Sequence, residues 1–95
     1  MEGWYVAKTK ARKEAWALRN LEQWGVEVFA PRIIRPNSRG QRSEPLFPGY
    51  IFCQFDPESP MAPIVRWSPG VSYLLGTSDG PNCVPYEVIR YLDDR

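Results

Sequence analysis

The hydrophobic and polar positions along the chain predict alternating strands and helices. Aromatic and β-branched residues at positions 4–7 are typical of a strand, and apolar residues recur at helical spacing over positions 11–24, with Gly25 as a C-terminal stop. Residues 26–30 alternate as in a second strand, with Ile33 and Ile34 as its candidate continuation past Pro31. Residues 49–55 and 71–75 predict two more strands, and residues 61–67 and 85–92 predict two more helices.

The polar segments between these elements complete the topology. Residues 36–44 are polar and rich in turn formers, which predicts an exposed hairpin loop, and residues 77–81 predict a turn. The order is therefore βαββαβ followed by a helix, with an antiparallel hairpin in the middle. This order predicts one α+β domain of the ferredoxin-like sandwich type, in which helices flank a four-stranded antiparallel sheet.

The first predicted helix has two unlike faces. One arc is apolar and predicts a core-facing side: Ala11, Ala15, Ala17, Leu18, Leu21 and Trp24. The opposite arc is basic and polar around one indole: Arg12, Lys13, Trp16, Arg19, Asn20 and Gln23. Cations that hold phosphates beside a ring that stacks on an unpaired base are typical of single-strand binding, and Asn20 is a candidate to read a base edge. The alternative is that Trp16 packs over a neighbouring loop.

The strand at residues 49–55 is apolar on both faces. Ile51, Cys53 and Phe55 share one face, while Tyr50 and Phe52 point to the other. Because the helices of a two-layer domain cover one face of the sheet, the second face needs a cover of its own. The candidates are the C-terminal segment, a domain outside this chain, or another protein. A Tyr/Phe pair left open would be typical of a protein-binding hot spot.

Composition and charge exclude several kinds of site. The 95 residues contain no histidine and two cysteines, which excludes His-dependent catalysis and metal chemistry, and no cofactor is expected. No apolar run reaches the ~20 residues of a membrane span, and no secretory signal opens the chain, so a cytoplasmic protein is expected. Nine bases stand against five acids up to Phe47, and three bases against six acids after it. A basic first half can meet a polyanion.

Several short motifs occur in a characteristic order. They are Trp4-Tyr5-Val6, the run EPLFPGYIF at residues 44–52, Pro69-Gly70-Val71, and Val84-Pro85 before a helix. Together they resemble the N-terminal (NGN) domain of NusG-type transcription elongation factors over essentially the whole chain. Residues 43–48, with Phe55-Asp56-Pro57-Glu58 after them, are most similar to the RfaH subgroup of antitermination factors.

The resemblance implies an NGN-type domain over residues 1–95 that catalyses no reaction, binds bacterial RNA polymerase and suppresses pausing. The expected dock for the clamp helices of the largest polymerase subunit is apolar: Val6, Phe47, Pro48, Tyr50, Phe52, Ile89 and Leu92. The expected contacts to exposed non-template DNA lie on the first helix and a later turn: Lys10, Arg12, Lys13, Trp16, Arg19, Asn20, Arg66, Trp67 and Ser68. The polymerase gate loop is a further candidate partner. A small β-barrel (KOW) domain is expected in the family and is absent from these 95 residues.

Two other classes share the βαββαβ order. A free-standing RNA-binding module of the RRM type displays aromatic residues on its sheet, but its Lys/Arg-Gly-Phe/Tyr signature is absent from the third strand. An acylphosphatase-type enzyme needs a phosphate-cradling glycine-rich loop, and no such loop follows the first strand. Both classes are therefore less favoured than a transcription factor domain.

Overall fold

The computed structural model describes residues 2–77 and 80–93. Its elements, in chain order, are β1 (Gly3–Thr9), α1 (Glu14–Gln23), β2 (Glu27–Phe29), β3 (Arg32–Asn37), β4 (Gly40–Pro45), β5 (Tyr50–Phe55), α2 (Met61–Arg66), β6 (Val71–Leu74), β7 (Gly76–Thr77), β8 (Gly80–Pro81) and α3 (Tyr86–Asp93). Strands β2, β5, β1 and β6 lie side by side in that order, and every neighbouring pair is antiparallel. The predicted α+β class with a four-stranded antiparallel sheet and helices is confirmed.

The first face of the sheet carries the main core. Tyr5 and Ala7 of β1 lie opposite Cys53 and Ile51 of β5, and all four side chains are buried in one cluster. Helix α1 packs on this face through Ala17 and Leu21, and α2 adds Val65. The predicted division of the third main strand into two apolar faces is confirmed, because Ile51, Cys53 and Phe55 all belong to this cluster.

The second face carries a smaller apolar cluster, which α3 covers in part. Trp4 of β1, Phe52 of β5 and Ile89 of α3 are its buried members, with Val6, Phe29, Val84 and Leu92 packed around them. The chain reaches this face through Val84, whose N–H donates to the Trp4 carbonyl at 2.7 Å. Of the covers that the sequence left open, the C-terminal segment is therefore the one observed.

Helix α1 is shorter than predicted. Arg12 has a φ of +60°, a left-handed conformation that no right-handed helix continues through, so the helix begins at Glu14 rather than at residue 11. Ala11 and Ala15 are exposed, and Trp24 beyond the last turn is 60% exposed. The prediction that these three residues face the core is wrong.

Strand β2 also ends earlier than predicted. It stops at Phe29, because Pro31 has no N–H to continue a ladder, and Ile33 and Ile34 belong to a separate two-stranded ribbon of β3 and β4. The Leu46 N–H donates to the Pro31 carbonyl at 2.9 Å and closes the base of this ribbon. Residues 36–44 were predicted to be an exposed hairpin loop. They are exposed, but most of them belong to the strands of the β3–β4 hairpin, which we call the arm. Of the predicted turn at residues 77–81, Ser78 and Asp79 lie outside the described residues.

Candidate functional site

The seven residues expected to form an apolar dock come together on one side of the sheet. Val6, Phe52, Ile89 and Leu92 belong to the second-face cluster, and the ring of Phe47 meets that of Phe52 edge to face at 6.1 Å. Tyr50 follows on the same face of β5, two residues before Phe52 and opposite Lys8 of β1. Pro48 is exposed in the turn that leads into β5.

These residues differ sharply in accessibility. Phe52 is 7% exposed, because Ile89 of α3 and the rings of Phe29 and Phe47 surround it. Phe47 is 40% exposed, and Tyr50 and Val6 are half-buried. A partner would therefore touch Phe47, Tyr50 and Val6 directly, whereas Phe52 supports them from below.

The open part of the second face has a cationic centre. Lys8 lies between Tyr50 of β5 and Tyr73 of β6 in the strand register, and its Nζ is 5.3 Å from the centroid of the Tyr50 ring. The same Nζ donates to the Thr9 carbonyl at 3.0 Å, and a Cβ on Gly49 would come within 2.8 Å of it. The glycine thus leaves room for the lysine to lie across the strands. We call Val6, Lys8, Phe47, Tyr50 and Tyr73 the open face.

The nine residues expected to contact DNA lie on two segments that the fold joins. The loop that leads into α1 and the turn at residues 66–70 meet where the Lys10 N–H donates to the Gly70 carbonyl at 2.9 Å. The Asn20 amide donates to the Pro69 carbonyl at 3.2 Å. Gly70 has a φ of +94°, and a Cβ on it would be 2.9 Å from the Cβ of Ala17. Only glycine permits this approach of the turn to the helix.

Two tryptophans on this joined surface are exposed beside cations. Trp16 is 43% exposed with the Lys13 Nζ 5.3 Å from its ring centroid, and Trp67 is 77% exposed with the guanidinium carbon of Arg66 at 5.8 Å. Lys10, Arg12 and Arg19 are also exposed. We call Lys10, Arg12, Lys13, Trp16, Arg19, Arg66 and Trp67 the indole surface. The sequence left open that Trp16 packs over a neighbouring loop, and 43% of this residue remains exposed.

Ser68 and Asn20 differ from the rest of this set. Ser68 is 5% exposed, and its hydroxyl is one of two buried side-chain oxygens without a hydrogen-bond partner among the described residues, the other being that of Thr9. Asn20 is half-buried and already engaged by the Pro69 carbonyl. Asn20 holds the turn against α1 and Ser68 is buried, so neither presents a free side chain to a ligand in this conformation.

The two cysteines are free and unlike each other. Burial raises the pKa of the Cys53 thiol to about 12, and its Sγ lies 3.7 Å from the Tyr5 carbonyl, so it packs as a small apolar group. Cys83 is exposed. Among residues 2–77 and 80–93, no three His, Cys, Asp or Glu side chains are grouped as metal ligands would be. Within the same residues, no helix has the length and apolar character of a membrane span.

Sequence reasoning missed Lys8 and Tyr73 as members of the open face. Their neighbourhood depends on the β1–β6 register, in which a bulge between Lys8 and Thr9 turns Tyr73 to the second face. An alternating pattern over four residues carries no signal for such a bulge. A single sequence therefore could not place them.

Comparison with known proteins decides the family. A family model described as transcription termination factor NusG matches residues 2–92. The chain belongs to the NusG family. A solved structure entitled "Domain interaction in Thermotoga maritima NusG" is similar to it, with a TM-score of 0.70 and 26% sequence identity over 97% of this chain. The chain corresponds to the N-terminal domain of NusG-family proteins and spans 55% of the length of that Thermotoga maritima structure.

Membership of the NusG family indicates the class of protein to which this domain belongs. NusG-family proteins are transcription factors that act with RNA polymerase, and the family is not enzymatic. The open face has a composition that suits a protein partner, and the composition of the indole surface suits a nucleic acid.

Proposed function

We propose that this chain is the polymerase-binding domain of an elongation and antitermination factor, and that its open face docks on the clamp helices of bacterial RNA polymerase. The observation that carries the proposal is the incomplete cover of the second face. Helix α3 buries Trp4 and Phe52 but leaves Phe47 40% exposed and Tyr50 half-buried. Such an exposed aromatic patch is typical of a protein–protein contact.

The aromatic residues of the open face would supply most of the affinity. Tyrosine and phenylalanine are typical hot-spot residues, and truncation of a hot spot costs about 2–4 kcal/mol of binding free energy. Tyr50 is restrained by Lys8, and Phe47 rests on Phe52, so both rings lose little conformational freedom on docking. The buried Phe52 contributes by holding Phe47 in place.

The indole surface would contact the exposed non-template strand. Lys10, Arg12, Lys13 and Arg19 supply phosphate contacts, which carry no sequence information and weaken with salt. Trp16 and Trp67 supply stacking platforms for unpaired bases. A rigid domain held by polymerase on one side and by DNA on the other would keep the clamp closed and disfavour paused, swivelled states.

Within the NusG family, the RfaH subgroup is the proposed affiliation. Residues 43–48 and 55–58 support it by their resemblance to that subgroup. The proposed protein also has a KOW domain, a gate-loop contact near the start of α2, and a cytoplasmic location beside its polymerase. An RNA-binding module of the RRM type is disfavoured, because α3 occupies part of the sheet face that such a module would offer to RNA.

A single-round transcription assay tests the antitermination role. The 95-residue chain is added to a bacterial elongation complex that is halted just before a strong pause site, and the dwell time at that site is measured. We expect a shorter dwell with the parent chain, no shortening with Tyr50→Ala, and full shortening with Tyr86→Ala, which removes an exposed tyrosine outside both surfaces. An unchanged dwell with the folded parent chain contradicts the role.

A further inference from the structure

The hairpin arm of β3 and β4 carries a net positive charge. Residues 32–45 contain Arg32, Arg35, Arg39 and Arg42 against the single acid Glu44, a formal charge of +3, whereas the whole chain carries +1. The other 81 residues are therefore acidic by two charges in sum. The arm is therefore a second basic region of the molecule, separate in sequence from the indole surface.

The arm is exposed along most of its length. Within it only Ile33, Glu44 and Pro45, near the base, are half-buried, and every other residue is exposed. Two strands of six residues extend roughly 20 Å at the usual rise per residue. The arm thus offers its charged groups to solvent or to a partner.

Part of this charge does not stabilise the arm. Arg35 lies directly opposite Arg42 across the two strands, and like charges in that position are destabilising. Glu44 forms a salt bridge with Arg35, and Arg32 is held by Ser43 through its Nε to the hydroxyl at 2.8 Å and its Nη2 to the carbonyl at 3.0 Å. Within the described residues, the guanidinium groups of Arg39 at the tip and Arg42 beside it have no hydrogen-bond or ion-pair partner. These two cations are available to an external anion.

The composition of the arm separates it from the indole surface. Residues 32–45 contain no Phe, Tyr or Trp, so the arm has no ring on which an unpaired base could stack. A two-stranded ribbon has the width that the major groove of B-form DNA, about 12 Å across, admits. The deep and narrow major groove of an RNA duplex does not admit one.

We propose that the β3–β4 arm is a second nucleic-acid contact, which enters the major groove of double-stranded DNA and binds the phosphate backbone there without regard to sequence. Arg39 and Arg42 make the principal contacts, and Arg35 joins them when a phosphate competes with Glu44. This contact is distinct from single-strand binding by the indole surface. This contact does not require docking of the open face on polymerase, so it can be tested independently of the proposed function.

Binding of the 95-residue chain to bare DNA tests the proposal. Fluorescence anisotropy is measured on a labelled 24-base-pair duplex of random sequence between 20 and 200 mM NaCl, with the same sequence as single-stranded DNA and as duplex RNA. The test variant is Arg39→Gln/Arg42→Gln, which keeps the aliphatic stems. Its charge-matched control is Arg90→Glu, because both proteins lose two units of charge and Arg90 is an exposed residue of α3 that does not belong to the arm.

We expect the double variant to bind duplex DNA at least tenfold more weakly than Arg90→Glu at 50 mM NaCl, with a salt slope shallower by about two. The double variant should lose less affinity for single-stranded DNA than for duplex DNA, because its indole surface is intact. Equal duplex affinities of the two variants would overturn the proposal, as would undetectable duplex binding by the parent chain at 20 mM NaCl. An equal loss on duplex RNA would also overturn it, since phosphate attraction without groove entry would then suffice.

Discussion

The side-chain amide of Asn20 donates a hydrogen bond to the backbone carbonyl of Pro69, 49 residues further along the chain. The bond joins α1 to the turn that carries Arg66 and Trp67. It therefore brings together two parts of the indole surface that the sequence alone leaves unconnected. Asn20 was predicted as a candidate to read a base edge, but its observed contact makes it a positioning residue.

Loss of this bond should lower stability. Asn20→Ala is expected to reduce the free energy of unfolding by about 1 kcal/mol, the usual worth of one hydrogen bond, because the Pro69 carbonyl loses its donor. Urea denaturation followed by tryptophan fluorescence measures the change. Gln23→Ala is the matched control, since Gln23 is exposed on the same helix and forms no side-chain hydrogen bond among the described residues. Equal midpoints for the two variants would show that the bond contributes nothing.

Stacking on Trp16 should dominate single-strand binding. Trp16→Ala is expected to weaken binding of a single-stranded oligonucleotide about tenfold, because stacking of one base contributes roughly 1–3 kcal/mol. Trp24→Ala removes another exposed tryptophan, just beyond the last turn of the same helix, and should leave the affinity within twofold. Fluorescence anisotropy compares the two. If both variants lose affinity alike, Trp16 is not a specific platform.

Phe52 and Tyr50 should respond differently to truncation. Phe52→Ala is expected to cost about 3–5 kcal/mol of stability, because the ring is buried among Trp4, Phe47 and Ile89. Tyr50→Ala should cost less than about half of that, since the ring is half-buried. Thermal unfolding by calorimetry distinguishes them. A variant Phe52→Ala as stable as Tyr50→Ala would contradict the observed cover of the second face.

Alkaline pH should destabilise the domain through Cys53. Burial raises the pKa of this thiol from 9.0 to about 12, so the unfolded chain releases a proton above pH 9 that the folded chain keeps. The thiol's contribution is complete below pH 9 and is lost as the pH rises toward 12. Between pH 8 and pH 10.5 the loss should reach about 2 kcal/mol.

A pair of cysteine variants isolates this contribution. Cys53→Ala should lose less stability than the parent chain over that pH interval, whereas Cys83→Ala keeps the buried Cys53 thiol and should lose more stability than Cys53→Ala. Urea midpoints at pH 8 and pH 10.5 give the comparison. Identical pH dependences for the parent and Cys53→Ala would show that the thiol is not held protonated by the fold.

Local periodicity was sufficient to predict the four strands of the main sheet and the two apolar faces of β5. The alternation of Ile51, Cys53 and Phe55 with Tyr50 and Phe52 follows directly from the pleat, and the βαββαβ order leaves few topologies. The helix start was wrong because one residue, Arg12, adopts a left-handed conformation that helical spacing does not reveal. The predicted continuation of β2 past Pro31 was wrong, because proline has no N–H for a further ladder hydrogen bond.

The features of the candidate site that the sequence could not predict depend on tertiary contacts. The family resemblance brought together four members of the second-face cluster, Val6, Phe52, Ile89 and Leu92. It did not show that α3 buries Phe52 and leaves Phe47 open. It also could not show that Ser68 is buried or that Tyr73 shares a face with Lys8, because both facts depend on register and packing between distant segments. Which residues of the candidate dock are accessible therefore depends on the tertiary structure.

The most direct test of the central claim is an NMR titration of the ¹⁵N-labelled chain with an isolated clamp-helix hairpin of a bacterial RNA polymerase. We expect saturable shifts centred on Val6, Phe47 and Tyr50, with those shifts lost in Tyr50→Ala and retained in Tyr86→Ala. A well-folded domain whose spectrum does not change at saturating hairpin, or changes only on α3, would contradict docking through the open face.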